Sequence, residues 1–125
     1  MRSEDRQSLY IVFSLWFLVF SAASQTMIIS PILPQLGEEL GIRDAVLGTL
    51  VTAYSLMVGI FAILAGPVSD KIGRRRILIL GTAVMTVALV LHNFVVGYVS
   101  FLAVRVFAGM AGGILSGAAV SYIGD

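Results

Sequence analysis

Arg105 offers more chemistry than any other residue in this 125-residue chain, and it sits in an unlikely place. It lies seven residues into the apolar run that opens at Tyr98. At 1.5 Å per helical residue that is about 10 Å from the start of the run. An arginine at the centre of a membrane helix costs about 2.5–3.5 kcal/mol on insertion scales, and less where the side chain can snorkel to the interface. Two readings follow: a guanidinium snorkelling outward, or one facing a polar cavity, where it binds solute or tunes a proton site. No Asp or Glu lies at comparable depth, so a charge partner belongs to the solute or to further sequence. Gln25 is the polar counterpart in the first apolar run. An amide cannot exchange a proton near neutral pH, so it is expected to hydrogen-bond a solute or a neighbouring helix. His92 ends the third run, where an interfacial side chain is the default and proton sensing the weaker reading. No nucleophile–base pair, phosphate-cradling loop or metal spacing occurs, so neither an enzyme nor a cofactor is expected. Cysteine is absent, which excludes disulfides, thiol chemistry and Cys-based metal sites.

Apolar helices must position these residues. The chain is 58% hydrophobic and 12% charged, and eight basic and seven acidic residues cannot cover a soluble domain. The charges cluster at Arg2 to Arg6, Glu38 to Asp44 and Asp70 to Arg76, with long uncharged stretches between. A span needs about 20 apolar residues. The reading is a tail over 1–8 and spans over about 9–30, 44–65, 77–96 and 98–123, joined at 66–76 by a loop. The first span is expected to end at Pro31 and Pro34, the second at Gly66-Pro67. The third reaches full length only if Asn93 to Val96 extends it. None alternates polar and apolar residues as a barrel strand would, so the fold class is an all-α polytopic transmembrane bundle.

Six basic residues (Arg2, Arg6, Lys71, Arg74, Arg75, Arg76) flank one side of these spans and only Arg43 the other. Both ends and the 66–76 loop are therefore expected in the cytoplasm, with Tyr10 and Tyr122 at the inner interface and Phe94 and Tyr98 at the outer. A cleaved signal peptide ending at Ala22-Ala23-Ser24 is the weaker reading, because the apolar run continues to Ile29. The basic loop is no nucleic-acid face. Gly109, Gly113 and Gly117 repeat every four residues, with Gly112 and Ser116 beside them. Small residues at that spacing let helices approach closely in lipid; making room for substrate is the lesser reading.

The loop Gly66-Pro67-Val68-Ser69-Asp70-Lys71-Ile72-Gly73-Arg74-Arg75-Arg76 carries more than topology. Glycines and proline can end a helix and make a turn, and basic residues meet anionic headgroups, but neither task needs an acid at Asp70. The pattern Gly-x-x-x-Asp-x-x-Gly-Arg-Arg between two spans resembles the signature loop between helices two and three of the major facilitator superfamily, with Val68 where leucine is usual. The likeness continues along the chain. Pro31 to Pro34 is similar to the helix-one exit of the superfamily's proton-coupled drug antiporters, and Tyr54 stands where they commonly have tyrosine. Arg105 followed by Gly109 resembles their helix-four motif, with Ala108 where glutamine is frequent. Gln25 occupies a position that is acidic in some subfamilies, which argues against proton coupling through it.

The resemblance implies the first four helices of a twelve-helix fold, which is not a closed unit, so the chain is expected to be the amino-terminal part of a longer transporter. It implies secondary active transport of a small solute by alternating access, as proton-coupled efflux of drug-like compounds. Gly66, Asp70, Gly73, Arg74 and Arg75 would gate conformations; Arg105, Gln25 and Tyr54 would meet substrate or protons; Gly109, Gly113 and Gly117 would pack helices. The expected partners are the lipid bilayer of a plasma (inner) membrane, a small-molecule substrate, protons and the remaining helices. The alternatives are an uptake symporter for sugars or organic acids, a stand-alone four-helix efflux protein like the small multidrug resistance family, and an accessory membrane protein. The second lacks its family's glutamate: span one offers only Ser14, Ser21, Ser24, Gln25 and Thr26.

Overall fold

The computed structural model describes residues 3–123, without the side chains of residues 3–5, 22, 26, 44, 122 and 123. Arg2 and the Gly124-Asp125 end lie outside the described residues, as do the side chains of Thr26, Asp44 and Tyr122. Four helices follow one another: α1 (Ser3–Leu40), α2 (Asp44–Ile72), α3 (Arg74–Leu91) and α4 (Tyr98–Ile123), with a single 3-10 turn at His92–Phe94. All four are long and apolar enough to cross a membrane. No strand occurs among the described residues. Within such helices a hydroxyl needs a local acceptor. Ser14, Ser24, Thr82 and Thr86 each donate to the carbonyl four residues back, at 2.7–2.9 Å.

The helix ends differ from the sequence expectation. α1 is already helical through the described part of the expected 1–8 tail, and α3 runs from Arg74 to Leu91 rather than over 77–96. Prolines do not stop these helices. α1 continues through Pro31 and Pro34 to Leu40, and α2 through Pro67 to Ile72. Proline's fixed φ already suits a helix, and each ring deletes one backbone hydrogen bond without reversing the chain. Two of the three connections are made at glycines with positive φ, Gly41 (64°) and Gly73 (105°); the third, between α3 and α4, uses the 3-10 turn and an extended Val95 instead. Gly66, expected to end α2, is an internal helical residue whose carbonyl accepts a 2.8 Å bond from the buried Ser69 hydroxyl. At Gly41 the Ile42 amide reaches back to the Gly37 carbonyl at 3.0 Å, a Schellman closure. Gly73 alone separates α2 from α3. Its amide donates to the Ser69 carbonyl at 2.9 Å, and its carbonyl accepts from the Arg76 amide at 3.1 Å. The expected 66–76 loop is thus the last turns of one helix, one glycine, and the first turn of the next.

α4 is the most buried helix and α2 its main partner. Gly109, Gly113 and Gly117 lie against the α2 backbone. A Cβ at Gly109 would stand 2.5 Å from the Tyr54 carbonyl oxygen, and one at Gly113 2.6 Å from that of Val58; at Gly117 the Ala62 carbonyl takes the space. Ala111 and Leu115 on another α4 face join Met85 of α3. α1 is held mainly near the Gly41 end, where Ile29 packs with Leu47, Leu50 and Phe101. Elsewhere α1 shows its large side chains outward, Phe13, Trp16, Phe17 and Phe20 all being exposed. Its looser fit leaves a cleft.

Candidate functional site: a cleft floored by Arg105

Between α1, α3 and α4, toward the Gly41 end, lies a cleft of ≈ 500 Å³. Its walls are apolar, from Ile28, Ile29 and Ile32 of α1, Leu89 of α3 and Phe101 of α4. Gln25, Ser21, Ser24, His92 and Arg105 supply the polar groups. An apolar cleft with a few converging polar groups is the usual form of a small-molecule site.

Arg105 is the extreme member, with no exposed surface. It does not snorkel. Its guanidinium turns inward and lies over the Tyr54 ring, the carbon 4.3 Å from the ring centroid. Such a cation–π contact is worth up to about 2 kcal/mol when desolvated. Yet Nε and Nη2 have no hydrogen-bond acceptor among the described residues. One ring face does not replace the acceptors that a buried guanidinium needs.

The surroundings fix that pose. Tyr54 is buried with Ala88 and Ala108, its hydroxyl end beside Gly112, where a Cβ would approach it to 3.0 Å. Gln25 is half-buried on α1 and borders the same cleft as Arg105. His92 is tethered through Nδ1 to the Ala88 carbonyl at 2.8 Å and meets the Phe101 ring edge-on at 5.9 Å. His92 and Phe101 are additions that sequence reasoning did not single out for the cleft, though a polar residue at the end of a span was a usable signal for the first. The structure therefore brings Arg105, Tyr54 and Gln25 to one region.

The remaining sequence-predicted residues form a separate group at the opposite end. The Arg74 Nη2 meets Asp70 Oδ1 at 3.1 Å, with Nε at 3.2 Å from the same oxygen. The pair straddles the Gly73 turn, and the Asp70 side chain remains half exposed. Arg75 points elsewhere, to a groove between α1 and α3 beside Gln7 and Tyr10. Gly66 touches the α4 end, its would-be Cβ 3.6 Å from the Ser121 hydroxyl.

Residues 15–125 match the family model of the Major Facilitator Superfamily. The chain belongs to that superfamily. YceJ of Bacillus subtilis, an uncharacterised MFS-type transporter, is 28% identical over 103 residues, 82% of this chain and 26% of that protein. YwfA of the same organism, also described as an uncharacterised MFS-type transporter, is 29% identical over 125 residues, all of this chain and 30% of YwfA. The quinolone resistance protein NorA of Staphylococcus aureus is 30% identical over 118 residues, 91% of this chain and 29% of NorA. The chain thus spans under a third of the length of the relatives it matches. No solved structure matches it. The superfamily match covers both groups of residues: the cleft residues on α1, α2 and α4, and the Asp70–Arg74 pair at the Gly73 turn.

Proposed function

We propose that these four helices work within a longer secondary transporter that moves a small, drug-like solute out of the cell by alternating access, driven by protons. The observation that carries the reading is the buried Arg105 at the floor of an apolar cleft, in a chain of this superfamily. Similarity to a quinolone resistance protein supports efflux of drug-like compounds. The exposed apolar faces of α1 and α4, such as Phe17 and Val120, suit lipid or further helices of the same protein. In this reading the chain resides in the plasma (inner) membrane with the Gly73 turn in the cytoplasm, as the basic residues around it favour. The Asp70–Arg74 pair biases the conformational equilibrium there. Gln25 hydrogen-bonds solute, and the proton is carried by a group other than Gln25.

The test is transport by the full-length transporter in proteoliposomes with an imposed pH gradient, using a quinolone as solute. Gradient-dependent flux that a protonophore abolishes is the expected result. Arg105→Lys should fold and insert normally yet lose most of the flux, because lysine lacks the planar fork. Equal flux with and without the gradient would remove proton coupling from the proposal; full flux in Arg105→Ala would remove Arg105.

A further inference from the structure

Among the described residues the cleft holds a fixed positive charge and no carboxylate to balance it. Arg105 is fully buried and cannot be neutralised by losing its proton, and two of its nitrogens lack acceptors. The other polar residues of the cleft are Ser21, Ser24, Gln25 and His92; none carries a carboxylate. Ser24 already donates to the Phe20 carbonyl at 2.8 Å, and His92 commits Nδ1 to Ala88. The wall around the cation is aliphatic and aromatic. From this juxtaposition we infer that the cleft is selective for solutes bearing an anionic group, an amphipathic organic carboxylate above all, with Arg105 as the anion-binding residue.

The geometry suits that ligand. A planar carboxylate can accept two donors from one edge of a guanidinium, and Nε and Nη2, buried and without an acceptor among the described residues, are the donors for that contact. The Gln25 amide, on the facing helix, can donate to the anion where an acidic side chain would repel it. A volume of ≈ 500 Å³ with apolar walls admits a small aromatic or branched-alkyl body behind the charge. A cationic solute would meet an uncompensated charge of its own sign in a desolvated place. The inference rests on the cleft being the solute site of the proposed transporter, and it adds the sign of the charge the solute carries there.

The same nitrogens could instead be satisfied by a carboxylate side chain from another segment of the longer protein, and one experiment separates the two sources. Binding of 2-naphthoate and of its neutral isostere 2-naphthamide is measured on the purified full-length transporter by equilibrium dialysis. With a ligand carboxylate as partner, naphthoate should bind about 10- to 100-fold tighter than naphthamide, the effect of one charge-assisted pair. Arg105→Gln should erase that preference by weakening naphthoate alone, and Arg105→Lys should keep part of it. An internal carboxylate would leave the wild type with no preference for the anion, and that result overturns the inference without needing any variant. So does a preference that survives in a monodisperse Arg105→Gln protein. Flux of a quinolone and of a cationic dye is followed on the same preparation: gradient-driven flux without anion preference refutes only this inference, whereas absence of any flux refutes the transport reading.

Discussion

A single methyl group added along α4 should report how closely that helix rests on α2. At Gly113 a Cβ would lie 2.6 Å from the Val58 carbonyl oxygen, 2.7 Å from the Phe61 Cβ and 3.0 Å from the Ala62 amide nitrogen. The first and third of these are backbone atoms, which cannot swing aside as a side-chain tip can. To bring the shortest contact to 3.0 Å the helices must separate by about 0.4 Å, and a dense interface resists that, so overpacking of this kind typically costs about 1–3 kcal/mol. The control is Gly59→Ala, where no atom lies within 4 Å of the new Cβ. Both substitutions gain the same helix propensity, about 0.5–1 kcal/mol in water, so their difference isolates the contact. The 125-residue chain, titrated with SDS in mixed micelles and followed by circular dichroism, should show Gly113→Ala less stable than Gly59→Ala by about 1–3 kcal/mol. Gly117→Ala should fall at the upper end, because the Ala62 carbonyl is closer still. Gly81→Ala should be milder, since it meets only the Ile114 and Leu115 side-chain ends at 3.0 Å. Indistinguishable midpoints for Gly113→Ala and Gly59→Ala would mean that α2 and α4 are not in backbone contact.

Three further outcomes are expected. Asp70→Asn removes an exposed ion pair worth about 0.2–1 kcal/mol, so the melting of the chain should hardly change; in the full-length transporter, distance measurements between the two halves should show the population moving toward inward-open. Gly41→Asn should be tolerated because φ 64° is left-handed helical, whereas Gly73→Asn, at φ 105° and ψ 122°, should lose about 1–3 kcal/mol in the same titration. For topology, Ser69 is a poor labelling site because it is fully buried, so cysteines belong at the exposed Lys71 and Glu38. In intact cells an impermeant reagent should label Glu38→Cys and leave Lys71→Cys unlabelled; the opposite pattern would invert the proposed orientation.

The bulk of the fold was legible because a bilayer imposes a length, and four apolar runs of that length can be counted directly. The helix ends were not, and proline is the reason. Pro31, Pro34 and Pro67 read as stops by the habits of soluble helices, whereas a long apolar helix tolerates proline wherever the freed carbonyl is otherwise accommodated. Positive φ is what turns this chain at two of its three connections, and nothing in the sequence separates Gly73, which needs it, from Gly66, which does not. For the site, spacing revealed that Gly109, Gly113 and Gly117 share a face but could not say that α2 rather than α3 covers it. Burial of Arg105 was one of two open readings. Its contact with Tyr54 joins residues on different helices, and no local pattern encodes such a meeting.

Arg105 belongs to the glycine face itself. Positions 105, 109, 113 and 117 follow at intervals of four along α4, so one stripe carries three glycines and then an arginine. Where the stripe is glycine, the α2 backbone comes within reach of a single methyl group; where it is arginine, the seam ends and the guanidinium lies over Tyr54, whose own carbonyl packs on Gly109. The close approach that glycine allows is therefore what brings the tyrosine ring beneath the cation. A bulkier residue at Gly109 would lift Tyr54 away from Arg105 as well as separate the helices. Packing and site are thus built from one row of residues: the seam fixes α4 to α2, and the end of the row presents its charge to the cleft against the more loosely held α1. In the proposed transporter, a shift of α1 would leave Arg105 in place on the α2–α4 pair while the opposite wall of the cleft moves, which would suit the proposed role of a fixed binding charge with variable access.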